Sequence, residues 1–128
     1  MREHAIQNAI RNALAGKCLL FRVNVGTAWT GSKVDKLPGR RVLIHDARPF
    51  STGLPPGFSD LFGLVPVVIT PDMVGQKVAI FTALEVKTAN GKPTDKQAAF
   101  IKAVNDNGGR ADVVRSPEDA VRVVEGGA

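Results

Sequence analysis

The first third of the chain begins with apolar residues at helical spacing. Between Arg2 and Ala15, Ile6, Ile10 and Leu14 recur every fourth position, and a glycine follows where a helix would end. The spacing predicts a helix over residues 2–15. Residues 19–25 then alternate apolar and polar side chains, which predicts a half-buried strand.

The middle of the chain is richer in turn-forming residues. Glycines, prolines and basic residues dominate residues 26–56, which predicts a long irregular segment broken by a short apolar stretch at 41–45 that can form another strand. Residues 61–69 predict a buried strand interrupted by Pro66, and residues 77–87 a longer strand rich in β-forming side chains. Between these two strands, residues 71–75 indicate a turn.

The last third predicts a helix, a strand and a second helix. Thr94 can cap a helix that runs to about Asn107, where two glycines end it. Residues 111–114 form a short apolar strand, and Ser116 then caps a final helix with Pro117 at its first position. Helices among several strands, with a strand–helix–strand unit near the end, predict an α/β fold with a mixed β-sheet flanked by helices.

Size and composition limit the class of protein. A chain of 128 residues predicts a single domain, and 44% hydrophobic with 23% charged residues is typical of a soluble globular protein. No apolar run approaches the roughly 18 residues of a membrane span, and the N-terminal residues lack a signal-peptide pattern. The single Cys18 cannot form an internal disulfide. These features predict a cytoplasmic protein that does not bind membranes.

Positive charge is concentrated in the N-terminal half. Residues 1–56 carry nine Lys and Arg against three acids, whereas residues 57–128 carry eight against nine. The cationic residues that surround the glycine-rich segment are Arg22, Lys33, Lys36, Arg40, Arg41 and Arg48. They can lie along a phosphate backbone, or they can simply form a solvated surface, and charge alone does not separate these alternatives.

Two further residues of this half have alternative roles. Trp29 can stack on a base or anchor its own segment to the core. Asn24, on the polar side of its predicted strand, can approach a nucleic acid or face water.

The candidate chemistry lies near the predicted 77–87 strand. Glu85 and Lys87 are two residues apart, so their side chains share one face of the strand while Val86 points to the other. Asp60 stands at the start of the preceding strand, after a Pro-Pro-Gly turn that would bring it near Glu85. Two carboxylates with a neighbouring lysine can hold Mg²⁺ or Mn²⁺ and position water at a phosphate, whereas an exposed cross-strand ion pair is the alternative.

Several segments, taken in their order along the chain, resemble the VRR-NUC nucleases. This family is a branch of the PD-(D/E)xK superfamily, which has a restriction-endonuclease-like core. The similar segments are Glu3 in the first helix, Phe21–Gly26, Gly57–Leu61, Glu85-Val86-Lys87, Gln97 and Ala111–Ser116. They extend over essentially the whole chain. Ser59 stands where the superfamily's motif has proline, but the Asp60 carboxylate is present.

The resemblance implies a role for each matched residue. Asp60, Glu85 and Glu3 correspond to metal-binding carboxylates, and the backbone carbonyl of Val86 to a further metal ligand. Lys87 corresponds to the catalytic lysine. The implied reaction is Mg²⁺- or Mn²⁺-dependent hydrolysis of DNA, which leaves a 5′-phosphate and a 3′-hydroxyl.

Two of these assignments have structural alternatives. Gln97 corresponds to a glutamine that supports the catalytic site, but it also stands three residues after Thr94 and can complete a capping box. Both roles are compatible only if its side chain faces the sheet. Glu3 can stabilise its helix by interacting with the positive end of the helix dipole, without binding metal.

The resemblance also implies a substrate and an assembly. Small stand-alone members, encoded by viruses or bacteria, are expected to act as homodimers on branched DNA such as four-way junctions in repair and recombination. Two symmetric incisions would then come from two copies of one site. The stretch 61–69 or the edge near 70–74 can supply the contact, or both can belong to the core. The alternative function is a catalytically inactive DNA-binding module of the same fold.

Overall fold

A computed structural model describes residues 2–126 of the chain. Its helices are α1 (Glu3–Leu14), α2 (Asp95–Asp106) and α3 (Pro117–Val124), with a 3₁₀ turn at Pro71–Met73. Its strands are β1 (Leu19–Arg22), β2 (Thr27–Thr30), β3 (Lys33–Leu37), β4 (Arg41–His45), β5 (Arg48–Ser51), β6 (Leu61–Leu64), β7 (Thr82–Val86) and β8 (Arg110–Val114). The α/β class predicted from the sequence is confirmed.

The described chain forms two compact units. Phe21–Phe62 is one of them and will be called the inserted unit, and the residues before and after it form the main unit. In the part of the chain that the structure describes, strands pair two by two: β1 with β6, β2 with β5, β3 with β4, and β7 with β8. Parallel and antiparallel pairs both occur, although the ladders do not join into one continuous sheet.

The main unit is organised around a parallel strand–helix–strand motif. β7 and β8 run parallel with Glu85 opposite Val113, and α2 connects them while packing against both strands. Its core contains Leu64, Val104 and Ala111, and Phe81 and Ile101 pack against it. The predicted strand–helix–strand unit near the end of the chain is therefore confirmed, and its connecting helix lies over the strand that carries Glu85.

Both C-terminal helices begin at the predicted caps. The Thr94 hydroxyl accepts from the Gln97 N–H, and the Ser116 hydroxyl accepts from the Asp119 N–H. Each bond satisfies a backbone donor of the first helical turn that has no partner inside its own helix. The start of α2, and with it the position of Gln97, is thereby fixed by local sequence.

The strand predicted at 41–45 is confirmed as β4, but the prediction that the rest of 26–56 is irregular is wrong, because residues 27–51 form a long antiparallel hairpin. The pairs Thr27–Ser51, Thr30–Arg48, Lys33–His45 and Leu37–Arg41 follow one register from β2–β5 into β3–β4. Its prolines and glycines occupy defined positions, with Pro38 in the tip turn and Pro49 within β5. Gly39 adopts a φ of 78° in the tip turn, and Gly31 lies so close to His45 that a Cβ would be 2.2 Å from its carbonyl oxygen.

The strands on either side of residues 65–81 are shorter than predicted. β6 ends at Leu64, two residues before Pro66, which cannot donate to a ladder. β7 begins only at Thr82, because its parallel partner β8 begins at Arg110, directly after the glycines that follow α2. Apolar residues that the sequence placed in these strands are consequently exposed, among them Val65, Val67, Val68, Ile69, Val78 and Ile80.

β1 is also shorter than predicted and ends at Arg22, so Val25 lies outside the strand and is exposed. The first helix and the turn at 71–75 lie where they were predicted. Within residues 2–126, no helix is both long enough and apolar enough to cross a membrane.

Candidate functional site

Glu85 and Lys87 share one face of β7, as predicted. Their side chains are 30% and 21% exposed, whereas the intervening Val86 is 74% exposed. Lys87 Nζ lies 3.5 Å from Glu85 Oε1. The charged residues therefore occupy the more sheltered face of the strand, which a solvated ion pair would not require.

Gln97 connects α2 to this pair. Its amide nitrogen Nε2 donates to Glu85 Oε1 at 2.8 Å, while its amide oxygen Oε1 accepts from the Thr94 backbone N–H at 2.9 Å. The Gln97 backbone N–H donates to the Thr94 hydroxyl at 3.1 Å, which completes the capping box. The two roles proposed for Gln97 from the sequence are thus compatible, because one end of the amide caps the helix and the other faces the strand.

Two oxygen donors remain next to this cluster. Both contacts described for the Glu85 carboxylate use Oε1, and Oε2 has no partner among residues 2–126. The Lys87 N–H donates to the Val114 carbonyl, and the Phe81 carbonyl accepts from the Arg110 N–H. The backbone N–H and carbonyl groups of the odd-numbered residues along this strand therefore point towards β8. Because backbone groups alternate along a strand, the Val86 carbonyl turns away from that ladder. Carboxylate and carbonyl oxygens are hard ligands of the kind that Mg²⁺ and Mn²⁺ prefer.

Arg115 stabilises the loop that joins this strand to α2, and sequence reasoning gave it no role. Its guanidinium donates to the backbone carbonyls of Thr88 and Gly91, the latter at 2.7 Å. These carbonyls belong to the residues between Lys87 and the Thr94 cap. The only local signal was a basic residue directly after an apolar strand, which is too common to assign a function.

Asp60 directly precedes β6 in the inserted unit, as predicted. Its backbone carbonyl accepts from the Val23 N–H at 3.1 Å, and its carboxylate has no hydrogen bond or ion pair with the described residues. Phe62 lies 5.4 Å from Phe58 and 5.5 Å from Phe21, measured between ring centroids. These aromatic contacts fix the segment on both sides of Asp60.

The predicted metal ligands are divided between the two units. Asp60 belongs to the inserted unit, whereas Glu3, Glu85 and Val86 belong to the main unit. Glu3 is exposed in the first turn of α1, where its negative charge interacts favourably with the positive end of the helix dipole. Its carboxylate has no partner among the residues described. Between Arg2 and Gly126, no group of three His, Cys, Asp or Glu side chains comes together to hold a metal ion.

The predicted DNA-contacting residues lie in or near the inserted unit's strands. Arg22 ends β1 and Asn24 follows it, Lys33 and Lys36 lie in β3, Arg40 occupies the tip turn, and Arg41 begins β4. All six are exposed. Trp29 lies in β2 and is 61% exposed, so the alternative in which it anchors a loop to the core is wrong.

Comparison with known families matches residues 1–118 of the chain to the VRR-NUC domain. The matched region contains every residue of the candidate site, from Glu3 to Gln97. Neither the curated proteins nor the solved structures gave a match to this chain.

Proposed function

Because the chain belongs to the VRR-NUC domain family, a family of nuclease domains with the restriction-endonuclease-like fold, we propose that it is a metal-dependent, structure-specific DNA endonuclease. The observation that carries this proposal is the Gln97–Glu85–Lys87 cluster. A binding module has no need of a lysine and a carboxylate held on the sheltered face of a strand by a helix-capping glutamine.

The oxygen donors beside the Gln97–Glu85–Lys87 cluster are of the kind that binds a divalent metal ion. Glu85 Oε2 and the Val86 carbonyl are two such donors, and the resemblance to the family adds the carboxylates of Asp60 and Glu3 as proposed ligands. Mg²⁺ or Mn²⁺ bound to them would supply Lewis acidity and lower the pKa of a bound water.

The chain's own residues have separable tasks in this reaction. Gln97 holds Oε1 of Glu85, which leaves Oε2 for the metal. Lys87 positions the attacking water and offsets negative charge on the phosphate. The water oxygen bonds to phosphorus and releases one proton, the bond to the 3′ oxygen breaks, and that oxygen takes up a proton, which leaves a 5′-phosphate and a 3′-hydroxyl.

DNA is the expected partner of the basic residues of the inserted unit. Arg22, Asn24, Lys33, Lys36, Arg40 and Arg41 are the proposed contacts. The logarithm of the affinity falls as the logarithm of the salt concentration rises, and each lost phosphate contact makes this dependence less steep by about one unit. An unchanged slope after neutralising two of these lysines or arginines would place the DNA elsewhere.

We extend the proposal to a homodimer that cuts branched DNA. Two symmetric incisions of a four-way junction need two sites related by a two-fold axis. The main unit supports such a contact, because its exposed residues between β6 and β7 are unusually apolar; Val68 and Val74 are 85% and 83% exposed. Exposed apolar patches of this kind mark interaction surfaces.

A cleavage panel tests the proposal against the alternative of an inactive DNA-binding module. Four-way junction, flap, single-stranded and linear duplex DNA would each be incubated with Mg²⁺, Mn²⁺ or a chelator. We expect metal-dependent cutting that favours the junction and yields 5′-phosphates. Binding without cleavage under every metal condition would support the alternative, and equal cutting of junction and linear duplex would remove the structural preference.

A further inference from the structure

The β-hairpin of the inserted unit has features of a nucleic-acid reader beyond a basic surface. β2–β5 and β3–β4 keep one antiparallel register from Thr27 to Ser51, with a break at Gly31-Ser32 opposite Asp46-Ala47. Residues 27–51 will be called the ribbon. A defined register fixes which side chains share a face. The cations therefore have set positions and are not spread along a variable loop.

The acids of the ribbon are engaged within it, whereas several of its cations are not. The ribbon carries five Lys and Arg and two Asp. Asp35 lies 2.8 Å from His45 Nε2 and 3.6 Å from Lys33 Nζ, and the Ser32 hydroxyl donates to Asp46 at 2.7 Å.

Three cations of the ribbon, in contrast, are available to bind an anion outside the chain. Lys36, Arg40 and Arg48 are exposed and make no side-chain hydrogen bond or ion pair with any residue in the described range 2–126. At the tip, the Arg41 Nε donates to the Pro38 carbonyl at 3.0 Å, which braces the turn that presents Arg40.

Both faces of the outer hairpin also carry exposed apolar side chains. Val34 and Val42 lie on one face and Leu43 on the other, each about half exposed. A purely electrostatic arm would not need them. In a DNA groove, apolar side chains contact the methyl group of thymine, while arginine and lysine donate to guanine O6 and N7.

The dimensions agree with a groove of duplex DNA. β3 and β4 have five residues each, so this arm extends roughly 16 Å at about 3.3 Å per residue. The major groove is about 12 Å wide and about 8.5 Å deep and admits a two-stranded ribbon, whereas the minor groove is only about 6 Å wide.

We propose that the Thr27–Ser51 ribbon inserts its Lys33–His45 arm into the major groove of duplex DNA. This inference rests on the proposed function for its substrate, DNA, but not on catalysis. Lys36, Arg40 and Arg48 are its phosphate- and base-contacting residues.

Methylation protection by dimethyl sulfate tests this inference, because the reagent methylates guanine N7 in the major groove and adenine N3 in the minor groove. The protein is bound to a junction with duplex arms in the presence of a chelator, so no cleavage occurs and the result is independent of the metal site. We expect protection of guanine N7 over several base pairs of an arm. That protection should disappear in the triple variant K36Q/R40Q/R48Q.

The control variant K17Q/K77Q/K102Q removes the same charge outside the ribbon and should keep the guanine protection. Protection of adenine N3 alone, or guanine protection that survives the ribbon substitutions, would overturn the proposal. If K36Q/R40Q/R48Q lost the dimer in light scattering but kept the guanine protection, the ribbon would bind a second copy of the chain and not DNA. Cleavage with Mg²⁺ by a protein that gives no guanine protection would leave the proposed nuclease intact and remove only the ribbon's role.

Discussion

The amide of Gln97 links the start of α2 to the carboxylate of Glu85, with its nitrogen 2.8 Å from Glu85 Oε1 and its oxygen 2.9 Å from the Thr94 nitrogen. A helix cap and a candidate catalytic carboxylate therefore share one side chain. Any change in the start of α2 is transmitted to Glu85, and this coupling can be tested by separating the two ends of the amide.

The Gln97→Glu substitution separates them. Glutamate still accepts from the Thr94 N–H, so the capping box persists, but it cannot donate to Glu85 and places a second negative charge beside it. We expect kcat to fall by about tenfold or more, because the orientation of Glu85 in the active site is lost. Thermal stability should change little. Activity and melting temperature would be measured on the same sample.

The matched control is Thr94→Ala, which removes the cap and leaves the Gln97–Glu85 bond. It should lower the free energy of unfolding by about 1 kcal/mol while the folded enzyme keeps most of its activity. If Thr94→Ala reduced kcat as much as Gln97→Glu, the glutamine would matter only through the helix.

Removal of Asp60, Glu85 or Lys87 should stop cleavage and spare DNA binding. Asp60→Asn and Glu85→Gln replace a carboxylate metal donor by a neutral amide, and Lys87→Met removes the charge that faces the phosphate. Nuclease assays and gel shifts are the measurements, and Lys102→Met, an exposed lysine of α2, is the control. Cutting at the wild-type rate by Glu85→Gln would refute the assignment.

Arg115 is expected to act as a positioning residue. Arg115→Lys keeps the charge but cannot span the Thr88 and Gly91 carbonyls together, so the loop before α2 should loosen. We expect a loss of roughly 1–3 kcal/mol of stability, as for hydrogen bonds from charged groups. kcat should fall more than KM rises. Arg122→Gln, on α3, should change neither kinetic parameter, and an unaffected kcat in Arg115→Lys would make its role purely structural.

The apolar surface between β6 and β7 gives the proposed dimer a direct test. Val68→Lys introduces a charge at a residue that is 85% exposed, so it should leave the monomer folded but separate the two copies. Light scattering at micromolar concentration should then change from a dimer to a monomer mass, and junction cleavage should shift from paired to single incisions. Val121→Lys, on the exposed face of α3, should leave the mass unchanged, and a monomeric wild-type protein would remove the dimer.

Acid stability should depend on Asp119. The backbone N–H of Arg115 donates to its carboxylate at 2.9 Å, and this bond lowers the pKa of Asp119 below its usual value of 3.8. Asp119 therefore stabilises the folded state above pH 3.8, and this contribution is lost as pH falls through the lowered pKa. Chemical unfolding between pH 6 and 2 should show a steeper loss below pH 4 in the wild type than in Asp119→Asn. Parallel curves would contradict this assignment.

The sequence by itself determined the features that depend on near neighbours in the chain. Helix caps at Thr94 and Ser116 were predictable because a hydroxyl and the N–H three residues later meet within one turn. The common face of Glu85 and Lys87 was predictable because strand side chains alternate with a period of two.

Features that depend on a partner distant in sequence were decided only by the tertiary structure. β7 is five residues long because β8 is, and an apolar run alone cannot show where its partner begins and ends. The ribbon was not predictable from composition, because its glycines and prolines lie at a turn, at a close strand contact and within β5, and local composition does not distinguish these positions from a loop. Arg115 acquired its role through carbonyls 24 to 27 residues away, which fold onto it only when β7 and β8 pair.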